Sequence, residues 1–397
     1  MRILLAPLGS EGDVNPFLWL AAGLKARGHA VTLLLSPYYG WLADARGLAW
    51  QPVGIAEDFL KFAQTPLIWH PRRGTKLVIQ GTLAQTESFR AAFEKTGGDF
   101  DLLITSTLGF AISFLAEARG IPRLHVHLQP VCLRSVHDPP LFLHGMEWLK
   151  TSPLWLKRAF AGFIDWKLNR LMRRAVNEFR RGLGLRPIHQ VHAEVLMAGE
   201  RLAGLFPGWF AQPQPDWPGN FRQFGFPLPP VAPAPLAPEL EAFLAAGPPP
   251  VLWSHGSANF HVEEFQAAAL AASRELGERC LLVSLEPPAG PLPEFAFHVP
   301  HARFEHLFPR CRAVVNHGGI GTISKAMAAG CPQLAVSMAH DQPDNAARLR
   351  KLGIGAEVPR PKLTPQRAAA ALRHLLHSPE VEARCAEIRD RLRRANP

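Results

Sequence analysis

The sequence predicts an α/β protein built from two Rossmann-like halves, each with a parallel sheet. Short apolar segments alternate with helical patterns over residues 2–128, and the same alternation restarts at residue 251. Between them, the proline-rich stretch PLPPVAPAP at 227–235 lacks backbone donors and suits neither a core helix nor a central strand. We therefore expect a first domain at 1–226, a linker at 227–240 and a second domain at 241–397. The two domains are expected to face each other across a cleft, with ligands beyond the carboxyl ends of the strands.

The composition is typical of a globular enzyme. The chain has 397 residues, of which 47% are hydrophobic and 19% charged, and its net charge is +10. The opening MRILLAPLGS is too short an apolar run for a signal peptide, and no window reaches the roughly 18 apolar residues of a bilayer span. Five widely spaced cysteines without a CxxC pair predict reduced thiols. We expect a cytoplasmic protein.

The first domain is predicted to open as a βαβ unit. A strand is expected over 2–8, a turn over 9–13 and a second strand over 30–35. Asn15 is the expected cap of the intervening helix, with Pro16 at its first position. A second round of the pattern predicts a strand over 102–106, a helix over 110–119 and a strand over 123–128.

A basic helical segment at 150–186 carries most of the excess charge. It contains ten Lys and Arg residues against Asp165 and Glu178, with Trp and Phe residues between them. Such a segment can simply pack on its own domain with a solvated charged face. The alternative is contact with an amphiphilic acceptor or with an anionic membrane surface, which would place the protein peripherally at the inner face of the membrane.

A glycine-rich turn at 316–322, with the sequence NHGGIGT, follows a predicted strand and opens a predicted helix. Its glycines allow the backbone to approach a ligand closely, and a helix start offers unpaired N–H groups and a positive dipole end. His317 can donate a hydrogen bond to an anion, and Thr322 adds a hydroxyl. The turn therefore predicts a diphosphate site, although a turn that only caps a helix has the same pattern.

A carboxylate and an amide, Asp341 and Gln342, follow the next predicted strand, at 333–337. The pair suits sugar hydroxyls, because the carboxylate accepts hydrogen bonds and the amide both accepts and donates. Since parallel strands end at one edge of a sheet, we expect the pair to face the same ligand as His317. Ser257, in the turn after the strand at 251–254, is a further candidate phosphate contact, with a plain turn as the alternative.

Asp13 is the candidate general base on an acceptor hydroxyl, because it follows the first strand in a turn with two glycines. The nearby helix start is expected to lower the pKa of Asp13, which a concerted proton transfer tolerates. The alternative is an aspartate that only caps the helix.

The sequence predicts no metal site and no cofactor. Asp99 and Asp101 form a DxD pattern, but they precede the strand at 102–106 and are interpreted as structural. The helix start after the glycine turn and His317 are expected to take the place of metal charge. His125 and His127 alternate on a strand and are predicted to lie at the core edge or in an acceptor pocket rather than to bind metal.

These residues together resemble the family 1 glycosyltransferases of the GT-B fold. In that family a histidine before a glycine turn stands 24 residues before an Asp-Gln pair, as His317 does before Asp341, and a proline follows the intervening helix, here Pro332. The opening GSEGDVNP at 9–16 resembles the branch that holds sterol, antibiotic and lipid glycosyltransferases. Three further motifs are most similar to the rhamnosyltransferases of rhamnolipid synthesis: FPGWF at 206–210, DWP at 216–218 and GFP at 225–227.

The resemblance implies that the domain at 1–226 binds the acceptor and that the domain at 241–397 binds the nucleotide sugar. It also implies a role for each matching position. Asp13 would be the acceptor base, and Asp341 with Gln342 would hold the sugar. The implied diphosphate contacts are Ser257, His317, Gly319, Gly321 and Thr322.

The nucleoside contacts implied by the resemblance lie elsewhere in the second domain. His298 would stack on the nucleobase, with Val299 and Pro300 as backbone contacts. Lys325 stands where plant members of the family place a glutamate for the ribose hydroxyls, which favours a deoxythymidine donor.

The implied reaction is a metal-independent, inverting hexose transfer from a dTDP- or UDP-sugar to a hydroxyl of an apolar acceptor. Rhamnose is favoured over glucose, and a 3-hydroxyalkanoyl chain over a sterol, polyketide or other natural product. Rival hypotheses are a nucleotide-sugar epimerase, which would need a second carboxylate beside the sugar, and a non-catalytic transferase-like helper, which the intact Asp13 and Asp341 disfavour. Nucleic acid is not an expected partner, because the chain lacks aromatic residues interleaved with basic ones outside one helix.

Overall fold

The protein, analysed as a computed structural model, is described at residues 1–228, 235–256 and 262–395. The chain divides into two compact units, Met1–Pro227 and Leu228–Pro397. Each unit contains one sheet in which all neighbouring strands are parallel, with helices in the connections. The predicted fold class, two Rossmann-like halves with parallel sheets, is therefore confirmed.

The first unit has a seven-stranded sheet with the order β3-β2-β1-β4-β5-β6-β7. Its strands are β1 (Arg2–Ala6), β2 (Ala30–Leu35), β3 (Ala49–Pro52), β4 (Leu102–Ser106), β5 (Arg123–His127), β6 (Arg201–Gly204) and β7 (Phe221–Gln223). Its helices are α1 (Glu11–Ala26), α2 (Gly40–Asp44), α3 (Ala56–Ala63), α4 (Gly74–Ala84), α5 (Thr86–Lys95), α6 (Phe110–Ala118), α7 (Trp148–Thr151) and α8 (Leu154–Gly182). The order reverses direction at β1 and β4, so the carboxyl ends of these two strands flank the position where such sheets bind ligands.

The second unit has a six-stranded sheet with the order β10-β9-β8-β11-β12-β13. Its strands are β8 (Val251–Ser254), β9 (Cys280–Val283), β10 (Ala296–Val299), β11 (Ala313–Asn316), β12 (Gln333–Ala335) and β13 (Gly355–Glu357). Its helices are α9 (Pro238–Ala245), α10 (Glu263–Leu276), α11 (Phe304–Leu307), α12 (Ile320–Ala329), α13 (Gln342–Lys351), α14 (Pro365–His377) and α15 (Pro379–Arg394). Here the order reverses between β8 and β11.

Central strands are apolar runs because helices cover both of their faces. All four residues of β8 and all four of β11 are buried, and Trp253 of β8 is completely enclosed. In the first unit, Phe110 and Phe114 of α6 pack in the same cluster as Leu4 of β1 and Leu103 of β4. The five cysteines are free thiols, and four of them are buried.

Helix α1 begins four residues before the predicted Asn15 cap, so that prediction was wrong. Ser10 precedes the helix, and its backbone N–H and hydroxyl both donate to the Asp13 carboxylate, at 2.8 and 2.9 Å. Pro16 lies inside the helix rather than at its first position. The Ser-x-x-Asp capping pattern starts the helix before the position that the proline indicated. It satisfies both the N–H and the hydroxyl of Ser10.

Across 1–228, 235–256 and 262–395, no helix combines the length and the apolar content that a bilayer span requires.

Candidate active site

A chain of buried amides fixes the glycine turn that follows β11. The side-chain oxygen of Asn316 accepts from the Gly318 N–H at 2.7 Å, while its nitrogen donates to Gln333 at 3.1 Å. Gln333, at the start of β12, donates in turn to the Ile323 carbonyl of α12 at 3.2 Å. Asn316 and Gln333 are completely buried. The turn is thus held in shape by the sheet beneath it.

Two glycines of the turn occupy positions where a side chain would not fit. Gly318 has φ +87°, and a Cβ there would lie 3.3 Å from Gln342. A Cβ on Gly319 would lie 2.3 Å from Nε2 of His317, and one on Gly256, after β8, would lie 2.6 Å from the same ring. The imidazole of His317 therefore fills the space between the turns that follow β8 and β11, which are neighbours in the sheet.

Burial controls the charge of His317. It lowers the pKa of His317 to about 4, with a smaller contribution from His255. Nδ1 of the ring is enclosed and has no hydrogen-bond partner among the described residues. In the free protein at pH 7, His317 consequently offers a hydrogen bond to an anion, and not the positive charge that the sequence suggested.

The structure brings the acid–amide pair directly against the glycine turn. Asp341 precedes the first residue of α13, and its Oδ2 accepts from Asn345 Nδ2 at 2.7 Å. The same amide nitrogen donates to the Gly318 carbonyl at 2.9 Å. The side-chain oxygen of Gln342 accepts from the Met338 N–H at 2.8 Å, so the amide nitrogen is the group that Gln342 can present to a ligand.

Asn345 is a residue of this site that the sequence reasoning missed. It is completely buried, and its side chain links the carboxylate of Asp341 to the backbone of the glycine turn. Its place in α13, one turn after Asp341, was the available signal, because residues four apart share one helix face.

The remaining predicted diphosphate residues lie in or near the same turn. Gly321 and Thr322 belong to the first turn of α12, where N–H groups generally lack intrahelical partners, although the Thr322 N–H donates to the Gly319 carbonyl at 3.1 Å. Ser257 lies outside the described residues.

The predicted nucleobase residues lie at the edge of the sheet. His298 and Val299 end β10, three strands from β11, and therefore about 14 Å from the glycine turn in the plane of the sheet. His298 is half-buried, and its Nε2 lies 2.8 Å from the Ser284 carbonyl. The Val299 carbonyl accepts from the Ser284 N–H at 3.2 Å and is thus already used within the sheet.

Lys325, which stands where plant members of the family have a glutamate, lies beside a carboxylate from another helix. Glu305 of α11 forms an ion pair with Lys325 of α12 at 2.7 Å. Burial acts to raise the pKa of Glu305, but the charge and hydrogen bond of Lys325 outweigh it, and the pKa is lowered. Lys325 alone therefore gives no argument for a deoxythymidine donor.

In the first unit, Asp13 lies in the first turn of α1, beyond the carboxyl end of β1. Burial raises the pKa of Asp13 and outweighs the hydrogen bonds from Ser10 and Gln129 that lower it. The expected lowering was wrong, because the loss of water around the carboxyl group has a larger effect than the helix start. A carboxylate with a raised pKa is a stronger base. Asp13 also caps α1 through its bonds with Ser10.

Tyr39 and Gln129 surround Asp13 and were not identified from the sequence. Tyr39 is buried, its phenol is hydrogen-bonded to the backbone of Glu11, and burial followed by the charge of Asp13 raises the pKa of the phenol. Gln129 follows β5 and bonds to the Asp13 carboxylate through its side chain. Asp13, Tyr39 and Gln129 lie in three different connections between strands, so no sequence spacing indicates that they meet.

Both histidines of β5 are completely buried. Nε2 of His125 lies 2.9 Å from the Ser113 hydroxyl, and Nδ1 of His127 lies 2.9 Å from the Thr107 hydroxyl. Burial is the main cause that lowers the pKa of His125 to about 4 and the pKa of His127 to about 3. They are neutral core residues at pH 7.

The DxD residues lie at the opposite end of the sheet from Asp13. Asp101 accepts from the Arg2 N–H at 2.7 Å, and Asp99 forms an ion pair with the Arg2 side chain at the start of β1. Within the part of the chain that the structure describes, no group of three His, Cys, Asp or Glu residues is arranged to hold a metal ion. The absence of a metal from the reaction stays a prediction.

Known proteins share both this fold and the sequence around the site. The family described as "Erythromycin biosynthesis protein CIII-like, C-terminal domain" matches residues 287–397, which hold the glycine turn and the acid–amide pair. The O-mycaminosyltylonolide 6-deoxyallosyltransferase of Streptomyces fradiae is 33% identical over 406 residues, covering 98% of this chain and 93% of the relative.

Solved structures agree on the fold. The glycotransferase of kitacinnamycin has a TM-score of 0.72 at 21% identity, covering 99% of this chain and 94% of that one. The glycosyltransferase VinC, solved in complex with dTDP, has a TM-score of 0.69 at 21% identity, covering 100% and 96%. The fold and sequence thus define an enzyme that transfers sugars, with the GT-B architecture. The chain belongs to the family 1 glycosyltransferases, among the relatives of antibiotic glycosyltransferases.

Proposed function

We propose that the chain transfers a hexose, rhamnose in preference to glucose, from a dTDP- or UDP-linked donor to a hydroxyl of an apolar acceptor. The observation that carries the donor half of the proposal is the contact between the glycine turn and the acid–amide pair. Asn345 bonds both to Gly318 and to Asp341, so a diphosphate on the turn would have its sugar beside the carboxylate.

The start of α12 is the proposed diphosphate site. Unpaired N–H groups of a first helical turn and the positive end of the dipole favour an anion there. His317 adds a neutral hydrogen-bond donor, and Asp341 with the amide nitrogen of Gln342 would bind the sugar hydroxyls. The relative VinC binds dTDP, which supports a deoxythymidine nucleotide here, and His298 is the proposed stacking partner of its base.

The proposed reaction is a single displacement. The acceptor hydroxyl loses its proton to Asp13 as its oxygen attacks the anomeric carbon, and the bond from that carbon to the diphosphate breaks. The nucleoside diphosphate leaves with the bonding electron pair, stabilised by the N–H groups of α12 and by His317. Attack opposite the leaving group inverts the anomeric centre. The reaction requires Asp13 and the donor residues to act on one pair of substrates.

Two acceptor classes have separate support. The motifs at 206–210, 216–218 and 225–227 support a 3-hydroxyalkanoyl chain, through their resemblance to the rhamnosyltransferases of rhamnolipid synthesis. The relative from Streptomyces fradiae acts, by its name, on O-mycaminosyltylonolide and transfers a 6-deoxyhexose. It supports a polyketide or other natural product as acceptor, and it also supports rhamnose, which is a 6-deoxyhexose.

Release of nucleoside diphosphate tests the proposal. The purified chain would be mixed with dTDP-rhamnose or UDP-glucose, and with a 3-hydroxyalkanoyl ester, a sterol or a macrolide aglycone. We expect rapid release only when a donor and a hydroxylated acceptor are both present, and the same rate in EDTA. Release that does not depend on any acceptor, or no glycoside product with any pair, would contradict the proposal and would favour the epimerase or helper hypotheses.

A matched pair of aspartate variants locates the sugar site. Asp341→Asn should lower kcat/KM by about 100-fold, because a hydrogen bond to a charged group is lost in the transition state. Asp99→Asn, which alters the DxD pattern beside Arg2, should leave kcat/KM unchanged. A large loss for Asp99→Asn with no loss for Asp341→Asn would indicate that the DxD pattern binds the donor and would imply a metal.

A further inference from the structure

Exposed apolar side chains are concentrated in one short segment of the first unit. Of the eleven large apolar residues that are exposed in the described part of the chain, five lie within 148–166. They are Trp148, Leu154, Trp155, Phe163 and Trp166. Single exposed apolar residues are ordinary, but a group that includes three tryptophans indicates a surface that contacts something.

The helix α8 arranges these side chains on one face. Trp155, Phe163 and Trp166 are spaced at eight and three residues and so point to the same side of the helix. The rings of Phe163 and Trp166 stack with centroids 6.0 Å apart. Lys167 lies over the Phe163 ring at 4.6 Å, and Arg170 over the Trp166 ring at 5.8 Å. The aromatic residues and the basic residues therefore share one surface.

The basic residues of α8 fall into two groups with different partners. The first group has partners within the unit: the buried Arg180 pairs with Glu117 at 2.8 Å, and the half-buried Lys157 donates to the Lys150 carbonyl at 2.7 Å. The outward group has no ion pair with a carboxylate among the described residues, and all its members are exposed. It consists of Arg158, Lys167, Arg170, Arg173 and Arg174. Positive charge without an ion pair thus lies on the face of α8 that exposes the aromatic rings, and the exposed Arg181 near the end of the helix adds to it.

We propose that this outward face of α8, together with Trp148 of α7, docks on an anionic membrane surface. Aromatic rings with a polar edge suit the boundary between headgroups and acyl chains, and the arginines and lysine suit anionic headgroups. The 29 residues of α8 give a length of about 43 Å that can lie flat on a bilayer. A second copy of the chain fits poorly, because a symmetric dimer through this face would oppose like charges. The inference does not depend on which acceptor the enzyme uses.

Sedimentation with sucrose-loaded vesicles tests the docking. The full chain would be mixed with vesicles that contain about 75% phosphatidylglycerol and the rest phosphatidylcholine, or with vesicles of phosphatidylcholine alone. We expect binding to the anionic vesicles that falls steeply as salt is raised, and at least tenfold weaker binding to the neutral ones. Equal binding to both vesicles, or none to either, would overturn the proposal.

Two matched pairs of variants locate the surface. Trp155→Ala/Trp166→Ala should lower the partition coefficient on anionic vesicles by about tenfold or more, whereas Trp41→Ala, at an exposed tryptophan elsewhere in the unit, should leave it unchanged. Arg170→Glu/Arg173→Glu should lower it by at least about 25-fold, since each basic residue contributes roughly fivefold.

The control for the charge reversal is Lys76→Glu/Lys95→Glu, at two exposed lysines of the same unit. It changes the net charge equally and should have a much smaller effect. Equal losses in both charge pairs would show that net charge alone drives binding and would overturn the assignment to α8. Thermal melting of every variant confirms that it folds. A further outcome is a chain that fails to bind vesicles and forms a concentration-dependent dimer that only the α8 variants abolish. That outcome would show that a second copy of the chain, and not a membrane, covers this face.

Discussion

The two units of the molecule hold their candidate residues in different ways. In the second unit, the glycine turn, the acid–amide pair and Asn345 form one set of short hydrogen bonds between consecutive strand ends. In the first unit, Asp13 is held by a helix cap and by partners from distant connections. The candidate residues for a diphosphate and its sugar could therefore be found from a local sequence pattern. The residues around Asp13, the candidate general base, could not.

The connections between strands show the same contrast. In the second unit, no connection between consecutive strands contains more than one α-helix within the described residues. In the first unit, α3, α4 and α5 separate β3 from β4, and α7 and α8 separate β5 from β6. The added helices can vary in sequence without altering the sheet of the first unit.

The largest effect is expected from removal of the proposed general base, Asp13. Asp13→Asn should lower kcat by about 10³-fold, because the amide cannot accept a proton, while its oxygen can still accept from Ser10 and keep the cap of α1. Affinity for dTDP, measured by calorimetry, should be unchanged, since the proposed donor residues belong to the other unit. Turnover close to that of the native enzyme would leave Asp13 with a capping role only.

A substitution in the glycine turn should act on donor binding instead. Gly319→Ala places a Cβ 2.3 Å from Nε2 of His317 and must displace the ring. We expect the Kd for dTDP to rise by about 10- to 100-fold, the range for one lost hydrogen bond to a charged group. Gly219→Ala is the control, because a Cβ there meets nothing within 4 Å. Similar Kd values for both variants would contradict the role of the turn.

Asn345 tests whether the two donor motifs work as one. Asn345→Ala removes the bonds to Gly318 and Asp341 and should raise KM for the nucleotide sugar by about fivefold. The Kd for free dTDP, which has no sugar, should change less. Asn345→Asp should be worse than Asn345→Ala, because it opposes two carboxylates. Equal effects on dTDP and on the nucleotide sugar would show that Asn345 supports only the turn.

Acid should destabilise the first unit more than the second. In the first unit, burial lowers the pKa of His125 to about 4, of His127 to about 3 and of His192 to about 4. In the second unit, burial lowers the pKa of His317 to about 4. The unfolded chain, with a histidine pKa near 6.5, binds more protons, so stability is complete above pH 6.5 and is lost as the pH falls. His125 and His127 should each account for about 2 kcal/mol of that loss by pH 5.

Hydrogen exchange at pH 7.5, 6.0 and 5.0, read separately for each unit, measures this difference. The raised pKa of Asp13 acts in the opposite direction and offsets part of the loss. His127→Asn should flatten the pH dependence of the first unit, and His374→Asn, at an exposed histidine, should not. A steeper loss of protection in the second unit would contradict the expected order.

Sequence reasoning succeeded where one short segment contains the whole signal. Strand β8 was predicted at its observed bounds, because a fully buried parallel strand is an apolar run between polar turns. The expectation that the acid–amide pair lies beside the glycine turn came from the ends of neighbouring parallel strands, and Gly318 does lie against Gln342. The start of α1 was misjudged, because a proline signal was preferred to the capping pair of Ser10 and Asp13.

What the sequence could not show depends on packing between distant segments. The direction of the pKa shift of Asp13 follows from how deeply its carboxyl group is enclosed, which no neighbour in the chain reveals. The ion pair of Glu305 with Lys325 joins residues twenty positions apart on two helices. Short edge strands such as β7 and β13 also escaped prediction, because three residues are too few to show a period.

The bond from the Met338 amide to the side-chain oxygen of Gln342 has a consequence for sugar analogues in the proposed reaction. The Ala339 N–H also donates to that oxygen, at 3.4 Å, so both of its lone pairs are used and Gln342 is left to donate. The carboxylate of Asp341 can only accept. Replacing a hydroxyl of the hexose by fluorine removes its hydrogen but keeps an electronegative atom. Deoxyfluoro donors should accordingly lose affinity at the ring carbon that faces Asp341 and keep most of it at the carbon that faces Gln342.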